Sequence, residues 1–495
     1  MAPSFSITTA IISLILLTLT YTVSRLIYNV FLHPLRRYPG PLLSHASILP
    51  MQSQTLRGRF PFWIHSLHER YGPVVRYAPD ELSFISSDAV KDIYGHGRSS
   101  FEKQKVFYGK DVYGDPTGLF RADAESHARQ RKLVSHAFSE KALREQESIF
   151  AKYVALLVQK LQIRAAKNEA ADMVKWYNFT TFDIMADLTF GEPLGLLDGS
   201  EYTPWVASVF AHVKLNALAG AIRRWSWLES VFTRFAPKSL REKRRVHMEH
   251  SSERVDRRLE KDLERPDIWS YVVRNQGKGE GDRLEKSEMY SNSALFMLAG
   301  TETTATELSG VTYHLLKNPA KMARLTKEIR TAFSSLDDIN LVNITQLEYL
   351  NACIDEGLRI YPPVAIGLPR SVPEGGAKVG GMWLPGGTAV ALSQYAAYHS
   401  ERNFKDPESF VPERWMPEGK EEYGSDDSHV FVPFSFGPRN CLGRNLAYHE
   451  MRFVLASVLL NFDLELADNT VWTDQNVYNL WDKKPLMIKL TPVGK

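Results

Sequence analysis

The chain is poor in several features that would give it common roles. It has two cysteines in 495 residues, Cys353 and Cys441, so no disulfide framework holds it together, and a thiol kept reduced fits a reducing compartment. Its 60 Lys and Arg stand against 57 Asp and Glu, a net charge of +3, which leaves no domain-wide basic field to recruit nucleic acid. No internal repeat and no low-complexity tract occurs. Charge is also absent from the first 24 residues, where Ile7 to Val23 runs almost continuously apolar.

That run is close to the ~20 residues a helix needs to cross a bilayer. The cations Arg25, Arg36 and Arg37 all follow it, which by the positive-inside rule leaves the rest of the chain in the cytosol. A cleaved signal peptide is the competing reading, but no basic segment precedes the run and no clear small-x-small site follows. The expectation is an uncleaved anchor over 1–32, a proline-rich hinge over 33–45 and one large domain over 46–495. His33-Pro34 and Pro39-Gly40-Pro41 stop a helix and stiffen the hinge.

After the hinge, Tyr71 to Tyr77 and Glu81 to Ile85 alternate apolar and polar residues around Pro79-Asp80, as a β-hairpin would. Helical patterns then dominate. The stretch 101–125 is irregular and long enough to be a binding loop, and His127 to Val134 is helical in composition. Between 217 and 237, Trp225, Trp227, Phe232 and Phe235 mix with Arg223, Arg224 and Arg234; the mixture suits either a membrane interface or an internal aromatic cluster.

The most informative stretch is Phe434-Ser-Phe-Gly437-Pro-Arg439-Asn-Cys441-Leu-Gly443, a turn running into the apolar periodic segment Leu446 to Leu455. A cysteine just ahead of a helix is biased toward thiolate by the helix dipole and unpaired N–H groups. Gly437 and Gly443 would let the backbone approach a flat macrocycle, and Arg439 offers a permanent cation for an anionic substituent on it. The stretch reads as a ligand loop for haem iron. A second pattern is the helix around Ala299-Gly300-Thr301-Glu302-Thr303, with glycine at its centre at a cost of roughly 1 kcal/mol relative to Ala. Thr303 is placed to hydrogen-bond the Ala299 carbonyl and bend the helix.

Phe434-x-x-Gly437-x-Arg439-x-Cys441-x-Gly443 resembles the haem-thiolate signature of the cytochrome P450 monooxygenases, and Ala299 to Thr303 resembles that family's oxygen-activation motif. The resemblance implies a mainly α fold with a small β-rich portion, preceded by one N-terminal transmembrane helix. It implies haem as cofactor, Cys441 as the iron ligand, and Phe434, Gly437 and Gly443 as residues of the haem loop. Arg131, Arg370 and Arg439 would bind the propionates, with His127 standing where the family has tryptophan. Glu302 and Thr303 would carry protons. Glu356, Arg359 and Arg414 would form a buried structural triad, and Cys353 would be a small buried residue. Cavity walls would come from Phe107 to Tyr113, Phe296, Ala299, Val364 to Leu368 and Tyr478 to Trp481. These are mostly apolar, so a hydrophobic substrate is expected.

The implied activity is insertion of one oxygen atom from O2 into an apolar small molecule, as hydroxylation or epoxidation. Electrons would come from NADPH through a cytochrome reductase, at the endoplasmic reticulum membrane, with a single span and the catalytic domain in the cytosol. The hinge, Val372-Pro-Glu-Gly-Gly and Phe410 to Trp415 resemble fungal members that act in secondary metabolism on terpenoids or polyketides. A haem-thiolate isomerase or dehydratase of the same fold is one alternative, against which the Glu302-Thr303 pair argues. A non-catalytic haem-binding membrane protein is another.

Overall fold

The structure is a computed structural model, and it describes residues 7–97, 101–109, 118–203, 205–206, 220, 223–225, 238–261, 264–277, 279 and 283–494. Ile7–Ile27 forms a first helix, α1, with no buried side chain, and a wider turn over Tyr28–Leu32 extends it to a 26-residue apolar rod. The segment that follows is not a free elbow. Asn29 Nδ2 donates to the Ala46 carbonyl at 2.9 Å, and the Pro39 carbonyl accepts the Arg76 N–H at 2.7 Å. The cause is Arg76, fully buried, whose guanidinium must find carbonyls and takes those of Asn29 (3.0 Å) and Pro79 (2.7 Å). The end of the apolar rod is thereby hydrogen-bonded to the body.

The main sheet holds β1 (Val74–Ala78), β2 (Glu81–Phe84), β3 (Glu102–Lys103), β4 (Arg370–Ser371) and β5 (Ala389–Leu392), in the order β1-β2-β5-β4-β3. The alternating hairpin is antiparallel, with Pro79-Asp80 at its turn; only β2 and β5 run parallel. In the last pairing Lys103 lies opposite Arg370, so two basic residues share one edge.

The helical body contains α2 (Ala124–Val134), α3 (Glu147–Ala166), α4 (Met173–Phe190), α5 (Lys286–Lys317), α6 (Glu348–Ile360) and α7 (Arg444–Asn461). Asp123 caps α2 by accepting the Ser126 N–H at 2.9 Å. α4 is apolar on nearly all sides and buried almost throughout, as a central helix must be. It crosses α5 at Gly300, where a Cβ would stand 2.8 Å from Met185 Sδ. Close helix crossing is therefore a reason for the mid-helix glycine, and α5 runs through it unbroken for 32 residues.

The structure brings the expected triad together. Arg359 makes a two-bond fork to Glu356 (2.8 and 2.9 Å), Arg414 Nε lies 3.1 Å from the same carboxylate, and Trp415 Nε1 donates to it at 2.9 Å. The remaining Arg359 hydrogens reach the carbonyls of Tyr398, Pro407 and Ser409, so these buried charges are fully satisfied. Cys353 is buried as expected. Most of 217–237 falls outside the described residues, including Trp227, Phe232, Arg234 and Phe235, as do 110–113 of the expected cavity wall. Arg224 is described and forms an ion pair with Glu81 on the sheet.

Candidate active site

The Cys loop is closed by the Cys441 N–H, which donates to the Phe434 carbonyl at 2.8 Å, and Ala447 starts α7 by bonding back to Gly443 at 2.9 Å. Cys441 presents its sulfur to a cavity of about 330 Å³, so it is accessible there although the loop lies deep in the molecule. Burial nonetheless raises the thiol pKa, against the lowering effects of the Gly443 N–H and Arg131. The helix terminus alone does not make a thiolate here; a bound metal cation would.

Phe434 and Gly443 line the cavity, whereas Gly437 does not. Gly437 has φ +75°, and a Cβ on it would meet the Tyr94 carbonyl at 1.8 Å. Its glycine is required by backbone crowding behind the loop, not by approach to a macrocycle.

The basic residues gather at one end. Arg131 on α2 donates to the carbonyl (2.6 Å) and the side-chain oxygen (2.5 Å) of Asn440, which braces the residue next to Cys441. Arg370 is buried, and among the described residues its Nη1 has no hydrogen-bond partner. Arg439 gives Nη1 to the Ala122 carbonyl at 2.8 Å; its Nη2 stands 3.5 Å from the Glu102 carboxylate without forming a hydrogen bond. Lys103, which the motifs did not reveal, lines the same end and donates to the Phe120 carbonyl at 2.5 Å. Burial, then Arg439 and Arg370, lower its pKa to about 6. Burial and these same cations hold His127 neutral, with a pKa lowered to about 3. Buried guanidinium nitrogens without partners, beside an accessible thiol, fit a planar iron macrocycle bearing carboxylates.

On the opposite wall α5 contributes Leu295, Phe296, Ala299, Gly300, Thr303, Thr304 and Glu307. Thr303 Oγ1 donates to the Ala299 carbonyl at 2.6 Å, as its spacing predicts. Glu302 goes elsewhere. Positions 302 and 303 point about 100° apart on a helix, and Glu302 is turned into a buried ion pair with Lys483, which also donates to Thr306 Oγ1 at 2.7 Å. Burial raises the Glu302 pKa and Lys483 opposes the rise.

Of the expected walls, Tyr108, Phe296, Ala299, Val364 and Leu368 line the cavity, and Tyr478 to Trp481 do not. Trp481 stacks on Tyr361 with ring centres 4.1 Å apart and donates to the Pro362 carbonyl at 2.8 Å, so it supports the wall from behind. Sequence reasoning missed Lys103, Leu119, Phe120, Phe138, Met185, Glu307 and Glu450. For the two acids a signal existed. Glu307 follows Thr303 by four residues, and Glu450 follows Leu446 by four, so each shares a helix face with a recognised site or core position.

A family profile described as Cytochrome P450 matches residues 39–490. The chain belongs to the cytochrome P450 family. It is 47% identical over 479 residues to the cytochrome P450 monooxygenase efuB of Hormonema carpetanum, covering 95% of this chain and 94% of that protein. It is 44% identical over 488 residues to the monooxygenase lcsI of Purpureocillium lilacinum (97% and 93% covered) and 42% identical over 485 residues to astA of Talaromyces wortmannii (97% of each). This P450 is a haem-thiolate monooxygenase, an oxidoreductase that uses O2 and a redox partner on a small-molecule substrate.

Proposed function

We propose that this P450 hydroxylates or epoxidises an apolar small molecule in a fungal secondary-metabolite pathway, with a terpenoid or polyketide as the substrate class. The observation that carries the reading is the meeting of the Cys441 sulfur, the partnerless arginine nitrogens and the Thr303 hydroxyl in one largely apolar cavity. Cys441 binds the iron, and the Gly443 N–H, which favours its thiolate, tunes the charge the metal feels. Arg131, Arg370 and Arg439, with the neutral ring of His127, would hold the carboxylates of a bound haem, Phe434 would contribute to the wall that receives it, and Gly437 fixes the loop. Bound haem supplies reductive activation of O2 and transfer of one of its atoms. Thr303 positions a proton at its Oγ1, and Glu302 locks the C-terminal segment through Lys483 to the back of the same helix.

Residues 1–32 anchor the protein in the endoplasmic reticulum membrane by a single span, with 33–45 as a docked hinge and 46–495 as the cytosolic catalytic domain. The cations after the span and the exposed apolar α1 support this placement. Electrons come from an NADPH-cytochrome reductase.

The test is the reduced, carbon-monoxide-bound full-length protein. It should absorb at the long-wavelength position diagnostic of thiolate ligation, and Cys441→Ser should lose the band; a Cys441→Ser protein that keeps it overturns the ligand assignment. With reductase, product should require both NADPH and O2. Product formed without either would instead support the isomerase reading.

A further inference from the structure

The cavity wall holds a carboxyl group to which the residues above give no role. Glu307 sits on α5 one turn beyond Thr303, lines the cavity, and is 1% exposed. Among the described residues neither of its carboxyl oxygens has a hydrogen-bond partner. The packing around it is close and deliberate in shape: a Cβ on Gly357 of α6 would stand 2.1 Å from Glu307 Oε1, so a glycine there leaves the carboxyl its space. A buried carboxylate with no cation beside it cannot remain charged, so this one keeps its proton. Burial raises its pKa well above the ordinary range, and Asp355 on α6 raises it further.

The titratable neighbours Asp355, Tyr361 and Glu450 bring no positive charge to it. Asp355 is itself buried and accepts the Tyr448 hydroxyl at 2.6 Å. Tyr361, just after α6, is held protonated by its burial. Glu450 of α7 lines the same cavity, is 1% exposed, and likewise has two partnerless oxygens and a pKa raised well above the usual range by burial. Glu302, by contrast, has its side chain tied to Lys483 outside the cavity. Of the two acids of α5 that flank Thr303, the one that opens onto the cavity is Glu307.

We propose that Glu307 is the proton-holding residue of the oxygen side, which surrenders its carboxyl proton toward the Thr303 hydroxyl during O2 reduction and is reprotonated from the Asp355–Tyr448 side. Reduction of O2 to peroxide consumes one NADPH and one further proton, O2 + NADPH + H⁺ giving H2O2 + NADP⁺. Full reduction consumes twice as many, O2 + 2 NADPH + 2 H⁺ giving 2 H2O + 2 NADP⁺. Each proton Glu307 gives up is replaced, so the residue ends the cycle as it began.

The proposal deepens the reading of Thr303 given above, and its test keeps the two apart. The full-length, haem-loaded enzyme with a reductase is supplied with NADPH and O2 and no organic substrate, and NADPH and O2 consumed and peroxide released are measured per haem. For Glu307→Gln the peroxide share per O2 should rise severalfold, and Glu307→Asp should recover part of the loss. The solvent deuterium isotope effect on water formation should change in Glu307→Gln as well. Independently of turnover, the infrared C=O band of protonated carboxyls should lose one component in Glu307→Gln.

A lost band with an unchanged peroxide share would make Glu307 a protonated but idle group and overturn the proposal. An unchanged band would overturn its protonation, and the proposal with it. Thr303→Ala, run in parallel, separates the claims: a normal peroxide share there with a raised one in Glu307→Gln removes Thr303 from the route and leaves Glu307 on it.

Discussion

At one end of the cavity Lys103, His127, Arg131, Arg370 and Arg439 arrive from β3, α2, β4 and the Cys loop; at the other, Glu307 and Glu450 arrive from α5 and α7. Both ends bury ionisable groups without full partners, and they resolve the cost differently. The guanidinium groups cannot shed a proton, so their charge stays and awaits an anion; among their neighbours, Lys103 and His127 yield and are pushed toward neutrality. Glutamic acids can keep a proton, so that end becomes neutral without any ligand. On the proposed reading the first end would be a socket for carboxylates and the second a store of protons. A third cluster, Glu356 and Asp426 with Arg359 and Arg414, sets two carboxylates against two guanidinium groups in place and needs neither device.

The comparison can be broken most severely at the matched cluster. Glu356→Ala leaves Arg359 and Arg414 buried with their shared counter-ion gone, a change that costs about 3–5 kcal/mol. Chemical denaturation of the haem-free protein should show the loss directly, and a cost under about 1 kcal/mol would mean that the charges there are not matched as described.

Next comes the socket. A charge-assisted hydrogen bond is worth about 1.5–3 kcal/mol, so Arg370→Ala should release haem about ten- to a hundredfold faster, measured by transfer to an apo-globin acceptor. Arg370→Lys, which keeps the charge and loses the fork, should fall between the two.

The proton store should respond with the opposite sign in stability. An unfolded glutamate titrates near 4.5 and the folded Glu307 well above that, so between those values the native state holds a proton the unfolded state has lost. Stability therefore falls as pH rises through that window. Glu307→Gln should flatten the slope and stabilise the protein at neutral pH, because folding then no longer requires proton uptake at this position. Melting temperatures of both proteins across pH are the measurement, and parallel slopes would count against a protonated Glu307.

The smallest effect is expected at His127. Its neutral ring contributes one hydrogen bond at most, so His127→Phe should change haem release by about twofold, the low end for a neutral bond. In the haem-free protein the unfolded histidine takes up a proton near pH 6.5 while the native one resists until about 3, so stability is lost as pH falls through that range. The phenylalanine variant should lose less.

The sequence alone made the Cys441 loop and the apolar N-terminal run legible, because each rests on residue types that few other roles demand in that pattern, whereas Arg131, Arg370 and the Glu356 triad were legible only through the family resemblance. The β-hairpin and the Thr303 bond to Ala299 were equally legible, since both are local. Only the tertiary structure decided which acids face the cavity. Glu302 and Glu307 lie on one helix, and their fates depend on how α5 is rotated by the crossing of Met185 over Gly300, by Lys483 behind Glu302 and by the space that Gly357 leaves. The reason Gly437 is glycine came from Tyr94, hundreds of residues away in the chain, and the docking of the hinge came from the buried Arg76. Short-range spacing fixes which faces a helix has, while the direction those faces take is set by packing against partners distant in sequence.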